Sequence, residues 1–551
     1  MPDRKARWPA ARRRPARRIS HRLRAPGILS ARGFAVLTAI GLAAAMAACS
    51  ASDSAPVSPS RHVGLVVSLA DGQLRGKHVG TTDDFLGIPY AAAPVGPLRW
   101  RPPQPRLRWH GIRAATQFAQ HCPQPTGVFG HPSTSEDCLY LNVFRPAKQV
   151  SSKLPVMVWI HGGGFVGGES DDYNPTALVD DGVIVVTINY RLGALGFLAH
   201  PALASHPGGP AGDYGLMDQQ AALRWVRQNI RAFGGNPANV TIFGESAGGQ
   251  SVLLQLISPT ARRLFAKAIA ESGGYAQYPS SLTSAEAQGR AFATKAGCAN
   301  QTANCLRSLA VSTILADQNQ SGASAVVDGL VLTEPLKQAL ASGHFSHVPV
   351  IDGSNHDEWR LFVALATFEG HPVTAANYLA TIESTLYVSP QIAAIIAQQY
   401  PVDAYQSPPL AMSAVGTDGI FACPTLLLDQ DMAKYTPTYA YEFNDQNAPN
   451  AYPSAGFPYG AAHAAELQYL FGLAPPVAGT LSSQQELLAA AMHAEWTSFA
   501  KSGVPSAPRA APWPRFTAAD QQMQSLVPPN PQPETRFNAD HHCALWALGG
   551  D

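Results

Sequence analysis

Six short, continuous apolar runs mark out the middle of this chain and restrict its fold more than any other feature. They are residues 156–160 (VMVWI), 183–190 (VIVVTINY), 240–243 (VTIF), 267–270 (KAIA), 348–351 (VPVI) and 438–443 (TYAYEF). Most are rich in β-branched residues and do not alternate polar with apolar, the pattern of strands buried on both faces. Helical stretches lie between them, notably 218–233 and 247–257. Strand alternating with helix predicts an α/β architecture, a mostly parallel central sheet with helices on both faces. Residues 275–345 and 360–435 turn helical and loop-rich without a linker. They read as large helical excursions from a single domain spanning 61–551.

The chain has 551 residues and a formal charge of +1, but its basic residues are unevenly placed. Residues 1–33 hold eleven Lys and Arg and one acid, and removing them leaves 28 basic against 37 acidic residues, a net charge of −9. An acidic body has no electrostatic reason to seek a phosphate backbone, which argues against a nucleic-acid partner. The basic start is followed by an uncharged run, residues 34–48 (FAVLTAIGLAAAMAA), and then Cys49. Fifteen apolar or small residues are short for a membrane span. The layout is that of an export signal, 1–48, and Met46-Ala47-Ala48-Cys49 resembles a bacterial lipobox that would make Cys49 the lipidated first residue. An ordinary cleaved signal is the other reading. Residues 49–60, rich in Ser and Pro, read as a tether.

Six further cysteines, Cys122, Cys138, Cys298, Cys305, Cys423 and Cys543, suit an oxidising compartment. Proximity along the chain favours Cys122 with Cys138 and Cys298 with Cys305, leaving Cys423 for Cys543. No cysteine pair has metal-ligand spacing with nearby histidines, so the reading includes neither metal nor organic cofactor.

The chemistry centres on Gly244-Glu245-Ser246-Ala247-Gly248, a G-x-S-x-G directly after the strand VTIF and directly before an apolar helix. A tight strand-to-helix turn holds a serine hydroxyl exposed at the sheet's carboxyl edge and at a helix N-terminus. His161-Gly162-Gly163-Gly164 follows the strand VMVWI, where the amides of Gly163 and Gly164, with that of Ala247, would form an oxyanion hole. A serine nucleophile needs a base, and the base an orienting acid. His463, in a glycine-rich loop after the strand TYAYEF, suits the base. The strand VPVI leads into three candidate acids, Asp352, Asp357 and Glu358, which placement does not separate.

These motifs resemble the type-B carboxylesterases, the family of para-nitrobenzyl esterases, fungal lipases, animal carboxylesterases and cholinesterases. Residues 85–91 (FLGIPYA) with 97–100 (PLRW), 136–143 (EDCLYLNV) and 243–249 (FGESAGG) look like its signatures, and the likeness runs from about Val63 to Trp546. It implies an α/β-hydrolase fold and ester hydrolysis through an acyl-enzyme and a Ser-His-Glu triad of Ser246, His463 and Glu358. It implies the same three disulfides, a supporting carboxylate at Glu245 and a buried serine, Ser272, behind the triad. Two departures stand out. Trp359 follows the acid where glycine is common, which predicts a reshaped pocket wall. The Cys122–Cys138 loop lacks the tryptophan that binds choline in cholinesterases, Phe129 being the nearest aromatic, which disfavours that activity. The expectation is an exported, lipid-anchored hydrolase of small-molecule esters that meets the membrane only through its anchor. A lipase for long-chain acylglycerols is the alternative. A non-catalytic adhesion relative fits poorly, because such relatives lack the nucleophile.

Overall fold

The computed structural model describes residues 65–127, 130–148, 153–204, 212–318, 324–473 and 478–547. The export signal, the tether, Cys49 and Phe129 lie outside them. Eleven strands form the main sheet: β1 Lys77–Val79, β2 Thr82–Pro89, β3 Tyr140–Pro146, β4 Leu154–Ile160, β5 Ile184–Ile188, β6 Gly235–Glu245, β7 Lys267–Glu271, β8 Val350–Asn355, β9 Thr438–Phe443, β10 Met523–Leu526 and β11 Gln532–Glu534. Their order is β11-β10-β9-β8-β7-β6-β4-β5-β3-β2-β1. The seven strands from β10 to β5 run parallel, and the strands at both margins pair antiparallel. The mostly parallel sheet read from the sequence is therefore present, with antiparallel edges that the apolar runs did not reveal.

Both faces of the central strands are apolar, which explains their uninterrupted sequences. In β4, Val156, Val158 and Ile160 enter one core with Ile242 and Leu253. Met157 and Trp159 point the other way, into a second core with Phe243, Ile351, Tyr441 and Trp496. Helix α1, Tyr214–Asn229, and helix α2, Ala247–Ile257, bury their apolar residues in the first core. Trp496 comes from α6, Ser483–Ser502, which starts at a capping box between Ser482 and Gln485. The helical excursions carry α3, Trp359–Phe368, and a rod made of α4, Pro408–Gly416, a π-helical stretch Thr417–Ala422 and α5, Cys423–Met432. That rod is apolar enough for a membrane span by length and composition, yet two-thirds of its most apolar window is buried in protein, as in a core helix. Residues His62–Asp551 make one compact unit. Three disulfides join Cys122 to Cys138, Cys298 to Cys305 and Cys423 to Cys543.

Candidate active site

Strand β6 ends at Glu245 and α2 begins at Ala247, so Ser246 occupies the turn between them with φ 56° and ψ −121°. A non-glycine residue there costs about 1–3 kcal/mol, and the surrounding chain enforces it. The Ser246 N–H donates to the Glu271 carbonyl at 2.8 Å and its own carbonyl accepts from Gln250 N–H at 2.7 Å. Space forces a small residue at Gly248, where a Cβ would stand 1.9 Å from the Ile160 carbonyl oxygen. The outcome is selective exposure: residues 241–245 and 247–250 are buried, and Ser246 alone among them is partly open.

The glycine loop after β4 lies against this turn. A Cβ on Gly162 would meet the Ser246 Cβ at 3.1 Å. Gly163 has φ 98°, a conformation open to glycine, and it turns the chain so that its carbonyl accepts from Val166 and Gly167. Upstream, His161 stacks on Tyr190 at 4.4 Å, and the Tyr190 hydroxyl donates to the His161 carbonyl at 2.7 Å. Among the described residues, the amides of Gly163, Gly164 and Ala247 donate to no protein acceptor.

Across the turn, His463 is buried with its Nδ1 2.5 Å from Glu358 Oε2. The other Glu358 oxygen accepts from Ser272 Oγ at 2.6 Å and from Asn355 N–H at 2.8 Å. The three candidate acids thus separate by contact. Asp357 turns to the Ala461 N–H at 3.0 Å and to Arg360 at 2.8 Å. Asp352 is buried deeper in β8, near Asp429, and burial pushes its carboxyl well above the usual range. Glu358 alone of the three touches the imidazole. The imidazole's Nε2 looks toward the Ser246 turn, 3.2 Å from Glu245 Oε1, near enough for charge to act but not aligned as a hydrogen bond. Ser246 Oγ makes no hydrogen bond to His463 in this state, and such contacts commonly tighten only around substrate.

Over residues 64–546 the sequence matches the carboxylesterase family. The chain belongs to that family. It is 37% identical over 469 residues to a fumonisin B1 esterase of Sphingopyxis macrogoltabida, covering 81% of this chain and 83% of that protein. An acylcarnitine hydrolase of Mus musculus is 35% identical over 494 residues, covering 83% and 87%. A para-nitrobenzyl esterase of Bacillus subtilis is 35% identical over 470 residues, covering 80% and 91%. This protein is a serine carboxylic-ester hydrolase.

In this carboxylesterase the electrostatics around His463 are set by burial and by acids. Burial pulls the imidazole pKa down, but the charges of Glu245 and Glu358 and the bond to Glu358 outweigh it and push it up to about 8. Burial raises Glu245 to about 7, against the attraction of His463 and with help from Glu358. Glu466, three residues after His463 and just ahead of the short helix Leu467–Leu470, is held well above its ordinary value, first by burial and then by Glu245, Glu271 and Glu358; it accepts from the Asn355 side chain. Asn355 and Glu466 were not picked out from sequence, although Asn355 lies in the segment that carries the acid. No sequence motif marks the aromatic lining either. Phe362 and Phe421 stand 5.1 and 5.0 Å from the His463 ring, and Tyr275 stacks near Phe421 at 5.4 Å. Phe421 reaches this position from the π-helical stretch. Trp359 fills the space over Gly416, where a Cβ would collide with its ring, and packs on Phe362 at 4.5 Å. The unusual tryptophan thus buttresses the aromatic wall, while Glu358 keeps its contact.

Proposed function

We propose that this carboxylesterase works through Ser246, His463 and Glu358 by way of an acyl-enzyme. The observation that carries the reading is the imidazole held at Nδ1 by a buried carboxylate with Nε2 turned to the nucleophile turn. Neutral His463 takes the Ser246 proton as Oγ attacks the ester carbonyl. The amides of Gly163, Gly164 and Ala247 receive the oxyanion. His463 then returns the proton to the departing alcohol, and water repeats the sequence on the acyl-enzyme to release the acid. Glu358 fixes the tautomer and stabilises the imidazolium, while Ser272 and Asn355 position Glu358. The aromatic wall suits esters with an apolar group beside the scissile bond. The substrates named for the relatives differ widely, in keeping with a site that selects the ester bond more than one alcohol.

The test is covalent labelling by a fluorophosphonate together with a chain-length series of p-nitrophenyl esters. Ser246→Ala should abolish labelling and lower kcat by on the order of 10⁴-fold or more, with an unchanged fold. Comparable turnover in the variant would overturn the assignment. Rates that climb steadily toward the longest acyl chains would identify a lipase instead.

We further propose that residues 61–551 act as one catalytic domain, supported by the compact unit from His62, and that the protein is exported and lipid-anchored at Cys49. Three disulfides support an oxidising compartment. Cys49→Ser should move the enzyme from the membrane fraction to the soluble one, and an unaltered distribution would refute the anchor.

A further inference from the structure

The segment that leaves the glycine loop, Glu169 to Asp172, meets the loop closed by the Cys122–Cys138 disulfide. At this junction Glu169 is 1% exposed, yet two histidines converge on its carboxylate. His121 Nδ1 lies 2.8 Å from Glu169 Oε2, and His131 Nδ1 contacts Oε1. The three groups come from separate parts of the chain, and their ligand atoms all lie within 4.8 Å of one another. We propose that His121, His131 and Glu169 bind one divalent transition-metal ion, Zn²⁺ being the best match, and that the ion clamps the disulfide loop to the segment carrying the oxyanion glycines.

Four features favour a metal over simple ion pairs. The donors are two imidazoles and one carboxylate, a set that suits Zn²⁺ and not the all-oxygen shells of Ca²⁺ or Mg²⁺. His121 presents Nδ1 to the cluster while its Nε2 donates to Asp171 Oδ2 at 3.0 Å, the outer carboxylate that a ligating histidine commonly has. Glu169 is fixed in advance, because its Oε2 accepts from the His131 N–H at 2.9 Å and from Gln124 Nε2 at 3.3 Å. Finally, two further carboxylates stand beside the cluster. Asp171 accepts from His121, and the Asp172 side chain lies against Glu169. An ion held by the three ligands would leave a coordination position for water or Asp172.

Tetrahedral Zn²⁺ keeps its ligands roughly 3.3 Å apart, so the donors must part slightly from their present contacts. His131, whose side chain is 75% exposed, has room to do so. The site is not legible in the sequence, where the two histidines lie ten residues apart and far from Glu169.

The experiment uses the full chain, stripped with a chelator and titrated with ZnCl₂ against a chromogenic competitor, alongside His131→Ala and Glu169→Gln. The expected result is one tight Zn²⁺ per chain, accompanied by a higher Tm, with affinity lowered by roughly tenfold or more in each variant. His131→Ala removes an exposed ring, so it reports even if Glu169→Gln fails to fold. His344→Ala, at an unrelated exposed histidine, should leave binding unchanged. Equal affinity and stoichiometry in the wild type and His131→Ala, or the absence of binding in the wild type, would overturn the proposal.

Discussion

Replacing Glu245 by glutamine tests whether the acid beside the nucleophile tunes the base. His463 sits at about 8, so at neutral pH roughly nine-tenths of it is charged and unable to accept the serine proton. The rate constant kcat/KM should therefore climb as pH rises through about 8 and level off above it. Glu245 stands 3.2 Å from Nε2. A fully ionised pair at that distance would be worth about 5 kcal/mol at an effective dielectric of about 20, more than three pH units. Burial keeps Glu245 itself at about 7, which withholds part of that charge. The net rise of His463 above its ordinary value is about 1.5 units, or about 2 kcal/mol. Glu245→Gln removes the larger of the two Coulombic contributions while Glu358 stays. The midpoint should fall by about 1 unit, making the variant relatively more active at low pH. The assay is kcat/KM on p-nitrophenyl acetate from about pH 5.5 to about pH 10. An unmoved midpoint, or one that rises, would refute the idea that Glu245 raises the base.

Two other expectations rest on particular contacts. Glu358→Gln should lower kcat by on the order of 10³- to 10⁴-fold with Tm little changed, and Asp357→Asn should cost far less. The opposite order, measured side by side on one short-chain ester, would show that the acid is wrongly assigned. His541 is buried between Asp418 and Glu442, 2.6 Å from each; their charges overcome the effect of burial and hold it protonated. His541→Ala removes the cation shared by both acids and leaves them only the partly exposed His356 and His542, so it should cost about 3 kcal/mol in urea unfolding at neutral pH; a loss under about 1 kcal/mol would argue that the pair is solvated.

The parallel strands were legible because both of their faces are apolar, and the nucleophile turn because its glycines are dictated by close backbone approach. The run 438–443 coincides with β9, whereas the run 240–243 is the inner part of the longer β6, whose first five residues, Gly235 to Asn239, include no β-branched or large apolar side chain. Strand β2 gave no such signal. It begins with Thr82, Asp83 and Asp84, which are buried because Asp83 pairs with Arg145 of β3 and Thr82 donates to Asp84. A strand whose polar groups are satisfied by its neighbour is not apolar in sequence. The choice among Asp352, Asp357 and Glu358 was open for a related reason, since the direction of a side chain depends on the loop it leaves. The resemblance pointed to Glu358, and the contact with His463 follows from residues over a hundred positions apart. The placement of Phe421 depends on a π-helical stretch that no local pattern announces.

Four non-glycine residues with positive φ surround the site: Phe165, Ser246, Ser272 and Ala464. They come from four separate segments, so each is held by its own loop and the tension is distributed around the chemistry. Each is a place where glycine would suit the backbone better than the residue present. A lineage released from the need to hydrolyse esters would find stabilising substitutions within easy reach at this corner, and selection for mere persistence would erode it first. Serine, and not glycine, at positions 246 and 272 thus carries a backbone cost that the proposed roles of the two hydroxyls would account for.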